Sequence, residues 1–307
     1  MPFLATPRLT VYYETAGAGG EPLLLVHGNF ASWRWWRPIL DRLPPGYRAY
    51  APDLRGCGDS SRASGGYSIP ELAADLHAFA AALDLPPLHL VGHSLGGAVA
   101  LQFALDHPAQ VRTLFLLAPS PAEGMPISRA GRPRPSWLAR LFDLHRDLSL
   151  AQADAAYRFL RTLGADRALL RRGLERVTPT LRRDRAFEAL VDDAVRMSPE
   201  AAIGHVRALG DWNVQAQLGR LDLPVLILWG AKDILVPRAG LERTARGLRR
   251  GRLVIWPDVG HAPQLEQPDR FARLLFDFTA RRPIPPAPPG WLRRLWAKLP
   301  WATRRPA

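Results

Sequence analysis

Apolar residues recur along this chain in two rhythms. Runs such as Leu23-Leu24-Leu25-Val26, Leu88-His89-Leu90-Val91 and Val225-Leu226-Ile227-Leu228-Trp229 are short and nearly continuous, as expected of strands buried on both faces. Between them lie longer stretches with apolar residues three and four apart, the period of helices that cover such a sheet. The pattern predicts strands over 9–15, 23–26, 47–51, 88–91, 113–117, 224–229 and 253–256. It predicts helices over 70–83, 95–106, 238–248 and 269–280. Strand and helix in alternation imply an α/β fold, a mostly parallel, doubly wound sheet with helices on both faces.

The rhythm breaks between Pro119 and Leu223, where about a hundred residues of Arg/Leu/Ala-rich helical pattern stand, as in Trp137-Leu138-x-x-Leu141-Phe142 and Tyr157-x-Phe159-Leu160. A parallel crossover needs only a dozen or so residues, so the excess predicts an inserted helical lid, with helices merely padding the fold as the alternative. The expected division is a core of 1–120 and 212–280, a lid of 121–211, and a Pro-rich linker with a basic tail over 281–307.

Charge changes this picture little. The net charge is +13, yet seven cations and no acid fall in 281–307, leaving +6 for the rest of the chain. Arginines elsewhere sit among acids, as in Arg182-Arg183-Asp184-Arg185, which favours solvated helix faces over a nucleic-acid surface. No nucleic-acid partner is expected. In the tail, Trp291, Leu292, Leu295, Trp296 and Leu299 share one helical face opposite cations, so 290–301 is a candidate for peripheral membrane contact; packing back on the body or a frayed end are the alternatives. The single cysteine, Cys57, permits no intramolecular disulfide. With neither a leader pattern nor an apolar span, a cytoplasmic location is expected.

The chemistry concentrates in His89-Leu90-Val91-Gly92-His93-Ser94-Leu95-Gly96-Gly97, a G-x-S-x-G sequence directly after a predicted strand and directly before a predicted helix. A sharp strand-to-helix turn leaves no room for side chains beside the serine. Gly92 and Gly96 would let backbone approach while Ser94 is held strained and exposed. The N–H of Leu95 and the positive end of the following helix would then face an oxyanion. A serine hydroxyl needs a base, and the base needs a group that fixes its tautomer. Asp233, just after the strand at 224–229, and His261, just after the strand at 253–256, are the candidates. Asp258 competes with Asp233, but it lies on the histidine's own loop and is poorly placed to face it. No His/acid cluster has metal-ligand spacing, and no phosphate-binding glycine loop occurs, so neither metal nor cofactor is expected.

With its elbow motif and the chain order Ser, Asp, His, the sequence resembles the serine-nucleophile branch of the α/β-hydrolase fold superfamily. The likeness covers about 8–120 and 212–280. His27-Gly28-Asn29-Phe30 looks like the family's oxyanion loop, which implies that Asn29 supplies the second N–H, with Phe30 the alternative. Asp53-Leu54-Arg55-Gly56-Cys57-Gly58-Asp59-Ser60 and Gly260-His261-Ala262-Pro263-x-x-Glu266-x-Pro268 resemble two further loops of the family. Asp53, Arg55, Asp59 and Glu266 are read as loop ties. Phe30, His93 and Trp137 are the candidate substrate contacts, although for His93, as for His27, a structural, hydrogen-bonded role is the favoured reading. Trp33, Trp35, Trp36, Phe142, Tyr157, Phe159 and Trp212 divide between core packing and an apolar pocket.

The resemblance implies hydrolysis of a carboxylic ester or related acyl bond of a small to medium apolar substrate through an acyl-enzyme. Carbon–carbon bond hydrolysis, lactone or thioester hydrolysis and cofactor-free perhydrolysis are the enzymatic alternatives. A ligand-binding receptor or a membrane-surface binder are the non-enzymatic ones.

Overall fold

The computed structural model describes residues 2–125 and 150–281. Trp137, Phe142 and the tail 290–301, expected as substrate contact, lid aromatic and membrane face, lie outside the described residues. The strands are β1 Phe3–Ala5, β2 Thr10–Ala16, β3 Glu21–Val26, β4 Tyr47–Pro52, β5 Leu88–His93, β6 Val111–Leu117, β7 Val225–Gly230 and β8 Gly251–Trp256. The helices are α1 Arg37–Leu40, α2 Ile69–Ala82, α3 Leu95–Asp106, α4 Leu150–Thr162, α5 Asp166–Val177, α6 Arg185–Arg196, α7 Pro199–Asp211, α8 Arg238–Gly247, α9 Pro263–Glu266 and α10 Pro268–Thr279.

The eight strands form one sheet in the order β1-β2-β4-β3-β5-β6-β7-β8. At one edge β1 pairs antiparallel with β2 and β2 antiparallel with β4, and the remaining pairs are parallel. The one strand without a counterpart in the sequence reading is β1. It has three residues, leaves Phe3 half exposed, and so carries neither a buried run nor an alternation.

Buried runs work here because consecutive side chains enter opposite layers. Leu24, Val26, Leu90, Leu114, Leu116 and Ile227 pack on one face with Leu72, Phe79, Val99 and Leu241 from α2, α3 and α8. Leu23, Leu25, Val91, Phe115, Leu117 and Leu228 pack on the other with Trp36, Ile39, Phe271 and Leu275. Cutting a fully buried side chain such as Phe271 to alanine would cost about 3–5 kcal/mol.

Helices α4 to α7 fill the gap between β6 and β7. Two of them, α6 and α7, start on local signals, as does α2 of the core. Ser68 accepts from the Glu71 N–H at the start of α2, Ser198 accepts from Ala201 N–H before Pro199 of α7, and Asp184 accepts from Ala186 and Phe187 N–H at α6; such caps satisfy N–H groups that the first helical turn leaves unpaired. A separate apolar cluster joins these helices to the loops at the strand ends: Leu174, Val177, Phe187, Leu190 and Val191 pack on Ala31, Trp35, Ala262 and Leu265. Among the described residues no helix is long and apolar enough to cross a membrane.

Candidate active site

In the parallel part of the sheet the strands end along one edge. The chain leaves β3 outward to β4 and returns to β5 on the other side of β3. A crevice opens where the order reverses in this way, outside the carboxyl ends of the strands. The loop after β3 carries Gly28 and Asn29, and the turn after β5 carries Ser94. A Cβ built on Gly28 would lie 3.0 Å from Ser94 Cβ, so the two segments touch.

Ser94 stands between β5 and α3 at φ 55°, ψ −117°, a left-handed conformation that costs a non-glycine residue of order 1–3 kcal/mol. Packing enforces it. A Cβ on Gly92 would meet Gly96 O at 2.2 Å, and one on Gly96 would meet His27 O at 2.3 Å. Backbone bonds from Ser94 N to Leu117 O (2.9 Å) and from Ser120 N to Ser94 O (3.2 Å) hold the turn to its neighbours. The Leu95 N–H, at the start of α3, has no acceptor among the described residues, and neither has the Asn29 N–H. By contrast Phe30 N–H is occupied, donating to Asn29 Oδ1 at 3.0 Å. That removes it as the free donor of this loop and leaves Asn29.

Strands β7 and β8 bring Asp233 and His261 together. His261 Nδ1 lies 2.8 Å from Asp233 Oδ2, and both residues are buried. The other carboxylate oxygen, Oδ1, accepts from Leu235 N–H (2.7 Å) and Val236 N–H (3.2 Å), so the carboxylate is fixed in orientation. Asp258 faces elsewhere, held by Arg270 at 3.0 Å and Gln267 at 2.6 Å. His93, the residue before Ser94, donates from Nε2 to the His261 carbonyl at 3.0 Å, and the two rings lie 4.8 Å apart. The serine turn and the histidine loop thus share one rim. The Ser94 hydroxyl itself makes no hydrogen bond among the described residues.

Several expectations change or sharpen at this point. His93 is 1% exposed and stacks on Trp35 at 5.2 Å. In this position it braces the histidine loop. Phe30 is partly exposed in the crevice wall, at φ 54°, with its ring edge-on to Tyr157 of α4 at 6.0 Å. Trp33, Trp35 and Trp36 are all core residues. His27 takes the structural role: its Nε2 accepts from Leu54 N–H at 2.9 Å, which puts the proton on Nδ1, 2.8 Å from Gly28 O.

The loop ties are also visible. Asp53 accepts from Trp33 N–H (2.7 Å) and Asp59 N–H (3.0 Å). Arg55 makes a two-pronged pair with Asp75, and Asp59 pairs with Arg196 of α6. Glu266 accepts from Gly260 N–H at 2.9 Å and from the Thr180 hydroxyl at 2.6 Å.

The sequence reading missed the part played by the helical insertion. His261 N–H donates to Val177 O, at the end of α5, at 2.7 Å. Asp193 of α6, 3% exposed, accepts from the Ser32 hydroxyl and from Arg34 at 2.9 Å. His205 of α7 reaches Asn29 Oδ1 at 3.1 Å. Nothing in the sequence marks these residues, because each is one polar position in a helical pattern and acquires its partner only through packing.

Buried ionisable groups here set how the protein responds to acid. Burial lowers His27 to about 4 and His205 to about 3, and holds His93 well below its usual value. The folded chain therefore takes up these protons later than the unfolded chain. The stability so gained is complete above pH 6.5 and is lost as pH falls through 6.5 toward those lower values. Asp53 opposes this: burial, only partly offset by the Asp59 and Trp33 N–H groups, raises it to about 6, so protonation below pH 6 favours the folded state. Three histidines outweigh one carboxyl. The net difference is about two protons, so a loss of about 2.7 kcal/mol per pH unit is expected between pH 6 and 5, roughly 2–4 °C in melting temperature per kcal/mol. A melting temperature flat or rising from pH 7 to pH 5 would contradict this.

A strained serine at a glycine-packed elbow, at the switch point of a largely parallel sheet, with a buried Asp–His pair on the same edge, defines a hydrolase class built on a single architecture. The whole-chain comparisons give the same family. The family model for the alpha/beta hydrolase fold matches residues 21–268. A Variovorax paradoxus protein named as a candidate carbamate hydrolase, RutD, is 34% identical over 91% of this chain and 100% of its own. The pimeloyl-[acyl-carrier protein] methyl ester esterase of Edwardsiella ictaluri is 32% identical over 89% of this chain and 99% of its own. An esterase from Exiguobacterium antarcticum superposes with a TM-score of 0.76 at 23% identity, covering 91% of this chain and 98% of that one. The chain belongs to the alpha/beta hydrolase fold family and is an α/β-hydrolase enzyme.

Proposed function

We propose that this enzyme is a serine hydrolase of carboxylic esters, with Ser94 the nucleophile, His261 the base and Asp233 the group that orients the base. The observation that carries the reading is the buried 2.8 Å contact between His261 Nδ1 and Asp233 Oδ2. It leaves Nε2 as the proton acceptor at the rim where Ser94 stands. Ser94 Oγ attacks the ester carbonyl as His261 Nε2 takes its proton, and Asp233 stabilises the imidazolium. The resulting oxyanion is held by the N–H groups of Asn29 and Leu95. Collapse expels the alcohol, protonated by His261. Water then attacks the acyl-enzyme with the same base and frees the acid and the serine.

Helices α4 to α7, the described part of the insertion taken as 121–211, act as a cap beside the site, and with the partly exposed Phe30 they suit a small to medium apolar acyl or alcohol group. The relatives named for methyl ester and carbamate hydrolysis agree in bond type with this reading. The test is a screen over p-nitrophenyl esters of increasing chain length, lactones, thioesters and carbamates, with fluorophosphonate labelling of Ser94. Turnover falling with chain length and labelling at Ser94 are expected. A chain that neither labels nor turns over any acyl substrate would instead fit a binding role.

A further inference from the structure

His205 is an imidazole on the buried face of α7, between Ala202 and Leu209, fully enclosed and with no ionic partner. Burying a polar ring in an apolar layer costs free energy unless its hydrogen bonds return it. One ring nitrogen, Nε2, has no partner among the described residues. The other meets the side chain of Asn29, 176 residues earlier in the chain.

The hydrogen-bond pattern settles the proton positions. Phe30 N–H can only donate, so the Asn29 atom it meets at 3.0 Å is the carbonyl oxygen. The His205 nitrogen on that same oxygen, at 3.1 Å, must then carry hydrogen, which makes His205 the Nδ1–H tautomer. Asn29 Nδ2 points to Ala202 O, one turn earlier on α7, at 3.4 Å. Helix α7 therefore holds the carboxamide at both ends. The loop needs holding, because Phe30 sits at φ 54° and would relax without restraint. Burial lowers His205 to about 3, so it stays neutral wherever the enzyme works and acts by geometry alone.

We infer that His205 is a positioning residue for the oxyanion loop: through the Asn29 carboxamide it aims the Asn29 N–H, so a helix of the insertion sets part of the geometry that stabilises the reaction. This rests on the reading of Asn29 as an oxyanion donor. A donor displaced by a fraction of an ångström loses much of its value, since it must match where charge develops.

The test measures kcat and KM on an ester that the wild type hydrolyses, with the melting temperature alongside. His205→Phe should lower kcat by about ten- to a hundredfold while KM stays within about threefold. Adding His205→Phe to Asn29→Ala should cost nothing beyond Asn29→Ala alone, because both act through one link. If His205→Phe fails to fold, His205→Asn and His205→Gln decide the matter. The asparagine amide lies where Nδ1 stands and should keep kcat, whereas the glutamine amide lies nearer Nε2 and should lose it. Wild-type kcat in His205→Phe, additive losses in the double variant, or equal kcat for Asn and Gln would each overturn the inference. A wild type that hydrolyses no ester and does not label at Ser94 would instead overturn the mechanism beneath it.

Discussion

Ser94→Ala is expected to lower kcat/KM for ester hydrolysis by on the order of a million-fold, while leaving the fold intact. The size follows from what the hydroxyl does in the proposed reaction. Without it no acyl-enzyme forms, and what remains is the contribution of binding and of the two N–H donors to direct attack by water. Folding is spared because the Ser94 hydroxyl forms no hydrogen bond among the described residues, so its removal strands no partner. Alanine must still adopt φ 55°, so the strain of the turn is retained as well. Stability should therefore stay within about 0.5 kcal/mol of wild type. The measurements are steady-state kinetics, fluorophosphonate labelling and thermal melting. A variant that keeps more than about one part in a thousand of wild-type activity would remove Ser94 from the nucleophile's place.

Asp233→Asn should cost about ten-thousandfold in kcat, and for a reason specific to this geometry. Oδ1 of Asp233 accepts from two backbone N–H groups, of Leu235 and Val236. An asparagine must keep its carbonyl oxygen there, which turns its NH2 toward His261 Nδ1. A donor facing Nδ1 forces the imidazole proton onto Nε2, the atom that must accept from Ser94. The base is then present, correctly placed and in the wrong tautomer. Asp258→Asn is the control, since that carboxylate pairs at the surface with Arg270 and Gln267; its effect should stay within about twofold. Equal losses in the two variants would sink the assignment of Asp233.

Much of the core was legible before any coordinates. Runs such as Val225 to Trp229 are apolar at every position because β7 is covered on both faces, and such a run has few other stable placements in a chain of this composition. Ser94 was legible because a G-x-S-x-G turn between strand and helix is a local backbone requirement: a Cβ at Gly92 or Gly96 would strike backbone oxygen. The placement of His93 was not legible, because sequence adjacency to Ser94 says nothing about which way a side chain points. In β5 neighbouring residues face opposite sides, and His93 turns into the protein to hold the histidine loop.

By itself the sequence determined every strand but β1, the elbow, the order of the three candidate catalytic residues and the presence of a long helical insertion. All of these are set by short-range period and by steric demands within a few residues. Tertiary structure alone decided that Asp233 rather than Asp258 meets His261, that Phe30 N–H is occupied, and that Val177, Thr180, Asp193 and His205 grip the loops around Ser94 and His261. Apart from the Phe30–Asn29 bond within one loop, those are contacts between residues distant in sequence, and their energy comes from burial and from single hydrogen bonds. No periodicity in the chain encodes which polar side chain on a buried helix face will meet which loop.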